Sequence, residues 1–564
     1  MARTSEIGKR AKPVRALGRI GLRAVRGQWM TPSVAVDLAR AWRQGRVFRL
    51  CGQEAGEREL LVLSLEDDFI FRNKTEAFLA AALRRKGWRV RVVMRDRATV
   101  LGRAYFRAFG LSDFLYLSDS PLGRSLRREC EEWAASALDH ARTVADIKEL
   151  RYRGAWVGPQ VLATLSRTLF AGCIDLSDPA MSERLRVVLR RTAEQVVSAE
   201  GILARCSPAL GLTNEANYSV YGPLVDKCIE AGAPVVQFIQ PWRDDAFIFK
   251  RLTRDTRRSH PASVEASTLE RFLSGTWTAR HERRLREIFA ERYGGKWYLQ
   301  GRNYPGGCRQ MHRRQLEDEY GLRRGKKLAV VFSHVLWDAN LFYGEDLFED
   351  YGEWFVETVK AACRNTAVNW LVKIHPANLW KRAYEKVGGD YAEVELIRRH
   401  VGCLPDHVRL IMPEDSVCAR ALFESADFAI TVRGTAGMEM ACFGKPCLTA
   451  GTGRYSGLGF TRDSSTREEY LDKLRHLADM GPMSEEEILR AKWHAYVSFD
   501  RRLWILRSGL CRFRYRKRGR SPLDHNFLLT VGSCRELESA EDLRRWSRWA
   551  ASGEVDYVEE DVLA

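Results

Sequence analysis

Between residues 327 and 480, short apolar runs alternate with segments in which apolar residues return every three or four positions. The runs Leu328–Phe332, Trp370–Ile374, Val408–Met412, Phe428–Val432 and Cys447–Ala450 have strand length and little polar alternation, the pattern of strands buried on both faces. The intervening segments read as helices: Tyr351, Trp354, Phe355 and Val359 stand at i, i+3, i+4 and i+8. Repeated β-α units predict a parallel, doubly wound sheet. An earlier region reads the same way with less regularity. There "LLVLSLE" and "RVRVVM" are strands, "KTEAFLAAALRRKGW" is a helix, and "NYSVYGPLVDKCIEAGAPVVQFIQ" supplies a helix and a strand.

This pattern predicts an α/β protein. A basic arm over residues 1–46 leads into a first Rossmann-like domain over 47–310 and a second over 311–480, with a basic, Trp-rich helical extension over 481–564. The Gly-rich stretch "GGKWYLQGRNYPGGCRQ" lies near the boundary between the two domains. The last 80 or so residues show no strand pattern.

Composition narrows the classes. The 564-residue chain is long enough for several cores, and no apolar run reaches the roughly 18 residues that a membrane-spanning helix requires. The N-terminus lacks the apolar core of a signal peptide, which predicts residence in the cytosol. Thirteen cysteines are scattered without a CxxC pair, and several sit in apolar segments. That predicts reduced, buried thiols rather than disulfides or a structural metal. The net charge of +18 favours anionic partners. It concentrates in "KRAKPVRALGRIGLRAVRGQW" and in "RRLWILRSGLCRFRYRKRGR". Arg15, Arg19, Arg23 and Arg26 share one face of the first segment, with Val14, Leu17 and Val25 on another. This is a short basic amphipathic helix, suited either to an anionic membrane surface or to packing on the protein body. In the second segment Trp504 and Tyr515 are placed for headgroup level.

Ligands of open parallel sheets bind beyond the carboxyl ends of the strands. The exits of the second domain carry Ser333 and His334, then "KIHPAN" with Lys373, His375 and Pro376, then Arg433, Gly434 and Thr435, then "GTGRYSGLGF" with Tyr455. Between "FAITV" and the helix holding Met438, Ala441 and Cys442, the glycines 434 and 437 permit close approach to a helix N-terminus, whose unpaired N–H groups favour an anion. These residues predict a phosphate seat. Glycines in a tight strand-to-helix turn also serve structure alone, and it is the convergence of four exits that favours the ligand.

"KIHPAN", "ITVRGTAGMEMACFGKP" and "GTGRYSGLGFT" resemble segments of the bacterial capsule and surface polysaccharide biosynthesis proteins and are similar to the capsular Kdo transferases. "SHVLWDANLFYGEDLFEDYGEWF" and "TNEANYSVYGPLVDKCIEAGAPVVQFIQ" look like the same group, so the resemblance covers roughly residues 200 to 465. It implies a GT-B-like glycosyltransferase, two Rossmann-like domains facing a cleft. The second domain would hold the nucleotide-sugar donor and the first would approach the acceptor. The donor is a substrate, and neither cofactor nor metal is implied. His375 and Pro376 match the family's His-Pro element, Thr435 and Gly437 its phosphate turn, and Glu439 an acidic position that would either reach the ribose or serve capping and packing. Arg433-Gly434 replaces the relatives' Asn-Ser or Ser-Ser, and Ile374 a common Pro, which leaves the nucleotide open.

Glycosyl transfer also requires a carboxylate as base or nucleophile. Glu215 ranks first, ahead of Asp244 with Asp245 and of Asp67 with Asp68. The basic loop "KRLTRDTRRSHPAS" suits an anionic acceptor or a donor carboxylate. The leading reading is therefore a glycosyltransferase of surface polysaccharide assembly. It would take a nucleotide-sugar, CMP-linked among the options, and a glycan or lipid-linked acceptor. An enzyme resembling CDP-polyol phosphotransferases is the neighbouring alternative. A nucleic-acid-binding protein is disfavoured because no such module is recognisable.

Overall fold

The computed structural model describes residues 31–51, 56–66, 69–297, 303–304, 307–338, 341–385, 388–513 and 523–561. The basic N-terminal helix, Asp67, Asp68 and Tyr515 lie outside the described residues. The chain divides into two compact units. One comprises Met1–Pro121, Ser198–Asn214 and Leu506–Ser552, the other Leu122–Val197, Glu215–Ile505 and Gly553–Ala564.

In the first unit β1 (Glu59–Leu63), β2 (Arg89–Met94), β3 (Phe114–Tyr116) and β4 (Leu210–Thr213) are parallel in the order β3-β2-β1-β4. All five residues of β1 are buried, as its apolar run predicts. The helix Ile70–Arg85 is buried nearly all round, and this encloses a cation. The Lys74 ammonium donates to Asp37 at 3.1 Å and to Asn526 Oδ1 at 2.6 Å, while Tyr105 donates to the same Asp37 carboxylate at 2.9 Å. Strands Gly509–Phe513 and His525–Leu529 form an antiparallel hairpin in the tail where the sequence shows no strand pattern. Two five-residue strands offer too few apolar positions for alternation to stand out.

The reading of all cysteines as reduced is corrected here. Cys51 is bonded to Cys534, with Cα atoms 5.5 Å apart, in the range a disulfide requires. The two stand 483 residues apart, a separation that no spacing motif can reveal.

In the second unit β5 (Val235–Ile239) pairs antiparallel with β6 (Ala246–Leu252), and Trp504–Ile505 pairs antiparallel with β6 on its other edge. Trp504 is 1% exposed, packed against Phe247 and Phe249, so the reading that places it among lipid headgroups is corrected. Its neighbour Arg502 is also buried, donating to the carbonyls of Ser263 and Phe249 and pairing with Asp556. These tail residues belong to a core.

The second sheet comprises β7 (Leu328–Phe332), β8 (Asn369–Lys373), β9 (Val408–Ile411), β10 (Phe428–Thr431) and β11 (Cys447–Thr449), all parallel, in the order β11-β10-β7-β8-β9. Alternate residues feed two cores. Ala329, Val331, Trp370, Val372, Phe428 and Ile430 enter one, and Leu328, Val330, Phe332, Leu371 and Ala429 enter the other. The first strand of the set, β7, sits between β8 and β10, so successive connections leave it in opposite directions. That arrangement is a topological switch point, where the loops diverge and open a crevice.

Cys51→Ser combined with Cys534→Ser is expected to lower unfolding free energy by about 2 to 4 kcal/mol, because the cross-link restricts the unfolded chain. Denaturant unfolding of the oxidised protein and the double variant measures this, and coincident curves would remove the bond as a stabilising element.

Candidate anion-binding site

A cavity of about 240 Å³ lies at this switch point. Its walls include Ser333 and His334 after β7, Lys373, His375 and Pro376 at and after β8, and Arg433, Gly434, Thr435 and Glu439 after β10. Nine of the sixteen site residues singled out in the sequence thus meet in one place, brought there by parallel strands that all point the same way.

Hydrogen bonds across the crevice fix the turn after β10. The Thr431 hydroxyl accepts from the Gly434 N–H at 3.3 Å and lies 3.2 Å from His334 Nε2, which also accepts from the Arg433 N–H at 3.4 Å. Nε2 is therefore an acceptor and the His334 proton sits on Nδ1. Burial holds the His334 pKa well below its ordinary value, and the nearby Arg433, His375 and Arg454 reinforce this, so the ring is neutral. His375 is fixed differently: its N–H donates to Ser333 Oγ at 3.0 Å, and its Nδ1 accepts from the Ala377 N–H at 3.1 Å. That assigns the His375 proton to Nε2.

Behind the turn, Arg292 meets Glu439 in a double contact, Nε to Oε2 at 2.9 Å and Nη2 to Oε1 at 2.8 Å. Arg292 Nη2 also donates to Thr435 Oγ1 at 3.2 Å, and the Tyr293 hydroxyl donates to Glu439. Both Glu439 oxygens are thus held by protein groups, and its side chain is 2% exposed. A structural part in seating the helix Thr435–Cys442 accounts for it without a ribose. Gly437 and Tyr455 lie behind the wall too. A Cβ on Gly437 would collide with the Tyr455 hydroxyl and stand 2.7 Å from Cys447 Sγ, so this glycine is required by packing rather than by phosphate approach. Tyr455 donates to the Gly434 carbonyl at 2.5 Å and ties "GTGRYSGLGF" to the turn. Arg433 is neutralised by Asp346 and donates to the Tyr351 hydroxyl at 2.9 Å.

Lys373 and Arg454 are different. Both line the cavity, and among the described residues neither has a carboxylate within ion-pair distance. Lys373 Nζ donates to the Val417 carbonyl at 2.9 Å and faces the Tyr304 ring, and burial pushes its pKa down to about 8. Arg454 donates to the Arg433 carbonyl at 3.3 Å. Beside it, His260 lines the cavity with Nδ1 accepting from the Ala262 N–H at 3.0 Å, which leaves its proton on Nε2. Burial and then Arg454 and Arg433 keep His260 neutral. Gly434 is the N-cap of the helix Thr435–Cys442 and offers no side-chain cap to its first-turn N–H groups. Two cations without carboxylate partners, neutral imidazoles and a helix N-terminus make a site for an anion.

The proposed carboxylates lie elsewhere. Glu215 accepts from the Ala216 N–H at 3.0 Å and acts electrostatically on Tyr343, whose ring contacts His260 at 5.0 Å. Glu215 does not line the cavity. Asp245 pairs with Arg243 at 2.8 Å, and neither it nor Asp244 lines the cavity. The basic loop over 250–263 is largely neutralised as well. Lys250 pairs with Glu265 and Asp556, Arg257 with Asp226 and Arg258 with Glu345, so His260 is its contribution to the cavity. The sequence does carry a sign of Arg292, a cation on the apolar stripe of its helix at the spacing of Leu285, Ile288 and Phe289. Nothing local marks Asp346 as its counterpart for Arg433.

No family model matches the chain, and no curated protein matches it. Solved structures do align with it. A beta Kdo 2,4 transferase, KpsC of Thermosulfurimonas dismutans, is 15% identical over 52% of this chain and 79% of its own, with a TM-score of 0.30. An S. aureus MnaA-UDP co-structure is 11% identical over 78% of this chain and 92% of its own, with a TM-score of 0.27. Anabaena Alr3699/HepE in complex with UDP and glucose is 10% identical over 78% and 94%, with a TM-score of 0.24. Likenesses of this size carry no functional weight, and the reading of the site rests on its own geometry. Among the described residues, no helix is long and apolar enough to cross a membrane.

Because Lys373 is cationic below a pKa of about 8 and neutral above it, affinity for an anion is expected to weaken as pH rises through that value. Calorimetric titration with pyrophosphate from acidic to alkaline pH reads this directly. Lys373→Met should bind roughly tenfold more weakly below the transition and lose the pH dependence that Lys373 causes. The same pH profile in both proteins would exclude Lys373 as the titrating group.

Proposed function

We propose that the protein is a GT-B-type glycosyltransferase whose switch-point cavity seats the phosphates of a nucleotide-activated sugar. The observation that supports this is the convergence of Lys373 and Arg454, without carboxylate partners among the described residues, on the N-terminus of Thr435–Cys442, which has no side-chain cap. When the glycosidic bond to phosphate breaks, negative charge develops on the departing nucleotide. Lys373, Arg454, the His375 Nε2–H and the N–H groups of Thr435 and Ala436 are oriented donors for that charge. In this reading the charge is carried by protein groups, and turnover is expected to survive a chelator.

The acceptor is a glycan or lipid-linked glycan of surface polysaccharide assembly, with Glu215 as the carboxylate that activates its hydroxyl. A CMP-linked sugar is one candidate donor. A CDP-polyol phosphotransferase-like activity would use the same phosphate seat, so the donor panel includes CDP-linked polyols. A thermal-shift series of CMP-, UDP-, GDP- and CDP-linked compounds is expected to give one stabilising class, by about 2.7 kcal/mol at 100 times Kd. With that donor, His375→Ala should lose roughly tenfold to 150-fold in turnover while keeping its melting temperature. Glu215→Gln should lose more than Asp245→Asn. Stabilisation by no nucleotide, or full turnover in His375→Ala, would overturn the assignment.

A lipid-linked acceptor would bring the enzyme to the anionic inner face of the membrane, where Arg15, Arg19, Arg23 and Arg26 would each contribute about 1 kcal/mol. Co-sedimentation should then favour anionic over neutral liposomes, weaken with salt, and fall when residues 1–29 are removed. Equal binding to both lipids would return that segment to the protein body.

A further inference from the structure

A buried carboxylate lies behind the cavity wall. Glu393, on the helix Ala392–His400, is 1% exposed and does not line the cavity. Its Oε1 accepts from the Ser333 hydroxyl at 3.2 Å and from Asn378 Nδ2 at 3.0 Å. Both donors are buried, and both hold His375. Ser333 follows β7 and lines the cavity, and its Oγ accepts from the His375 N–H at 3.0 Å. Asn378 stands in the first turn of the helix Ala377–Glu385, and its N–H donates to the His375 carbonyl at 3.0 Å. One carboxylate oxygen therefore ties down the backbone of His375 on both sides.

A serine hydroxyl has one hydrogen and two acceptor lone pairs. While Glu393 is ionised its oxygens can only accept, so the Ser333 hydrogen is committed to Glu393 and gives nothing to the cavity that Ser333 lines. We propose that Glu393 is a positioning residue through which anion binding takes up a proton: protonated on Oε1, it donates to Ser333 Oγ and frees the Ser333 hydrogen for the anion. The proposal rests on the anion-binding reading of the cavity. One proton passes from solvent to Oε1 and one O–H bond turns, while every heavy atom keeps its place. Ser333 Oγ then accepts from both His375 and Glu393, and Asn378 keeps its bond to Oε1.

The surroundings leave both forms of Glu393 accessible. Burial raises its pKa to about 7, against hydrogen bonds from its own N–H, Asn378 and Ser333 that favour the charged form. Arg382, on the same helix as Asn378, also favours the charged form, and it lies over the ring of Tyr391, whose hydroxyl donates to Glu414. On the helix of Glu393 itself, Glu395 is paired with Arg398. The helix Tyr351–Arg364 packs on Ala392–His400 through apolar residues, Val359 and Ala362 meeting Ile397 in one core. The strand exits bring neutral His334, Lys373 and His375. An anion added beside this network favours the uncharged acid.

The test is calorimetric titration of the full chain with sulfate, whose own charge is constant through the neutral range. Run at pH 7 in two buffers of different ionisation enthalpy, it reads the protons taken up with each anion. Wild type should take up roughly half a proton, because a group with a pKa of about 7 is half protonated before binding. Lys373, with its pKa of about 8, supplies only roughly a tenth of a proton there. Glu393→Gln keeps an acceptor oxygen for Ser333 and Asn378 but cannot titrate, and should lose the half proton. From pH 6 to pH 8 the affinity of wild type should fall roughly tenfold more than that of Glu393→Gln. Ser333→Ala, without the hydroxyl, should lose the uptake too. Equal uptake in wild type and Glu393→Gln overturns Glu393 as the group that gains the proton, and uptake that survives in Ser333→Ala overturns the turning hydroxyl. The wild-type measurement needs no variant: sulfate binding with no more uptake than Lys373 supplies overturns the coupling alone, and no sulfate binding overturns the anion site with it.

Discussion

The fork between Arg292 and Glu439 holds the candidate site in shape. A guanidinium and a carboxylate buried together are tolerable only as partners, because either one alone would carry an uncompensated charge into the core. Here the pair joins the helix Ala279–Tyr293 to the helix Thr435–Cys442, and the same Arg292 steadies Thr435 at the first helical position. The turn that follows β10 therefore has one place to sit. His334 and Tyr455 hold it from the other sides, and the helix N-terminus is presented with its donors in a fixed direction.

Net charge reveals little about where such a protein attracts anions; what matters is which cations remain after pairing. Arg433 is as buried as Lys373, but Asp346 cancels it. In the loop over 250–263, Arg257 is cancelled by Asp226, Arg258 by Glu345, and Lys250 by Glu265 and Asp556. Lys373 and Arg454 line the cavity and donate to backbone carbonyls, which orient a cation without neutralising it.

Much of the second sheet was legible in the sequence. Strands buried on both faces must be apolar at every position, so β7 to β11 appear as continuous runs, and their ends fall within about two residues of the expected ones. Parallel topology then sends every exit to one edge, which is why Ser333, His334, Lys373, His375 and Thr435 were readable as neighbours without any local motif. Partnerships were not legible. Arg292 and Glu439 are 147 residues apart, and a sequence can mark a residue as buried and polar without naming its counterpart. Of the two roles open to Glu439, its occupied oxygens fit packing rather than a ribose, and the space beside Gly437 belongs to Tyr455, which fits the structural role of that glycine. Trp504 misled for a related reason, since an aromatic among arginines looks interfacial until its strand partner is known.

The bond between Cys51 and Cys534 has a topological consequence. The first unit is assembled from three stretches of chain, and both long stretches of the second unit, Leu122–Val197 and Glu215–Ile505, fall between the two cysteines in sequence. In the bonded state residues 51 to 534 form a closed ring. A single cut by a protease anywhere inside that ring opens it without releasing a fragment, so the nicked molecule keeps its full mass until the bond is reduced.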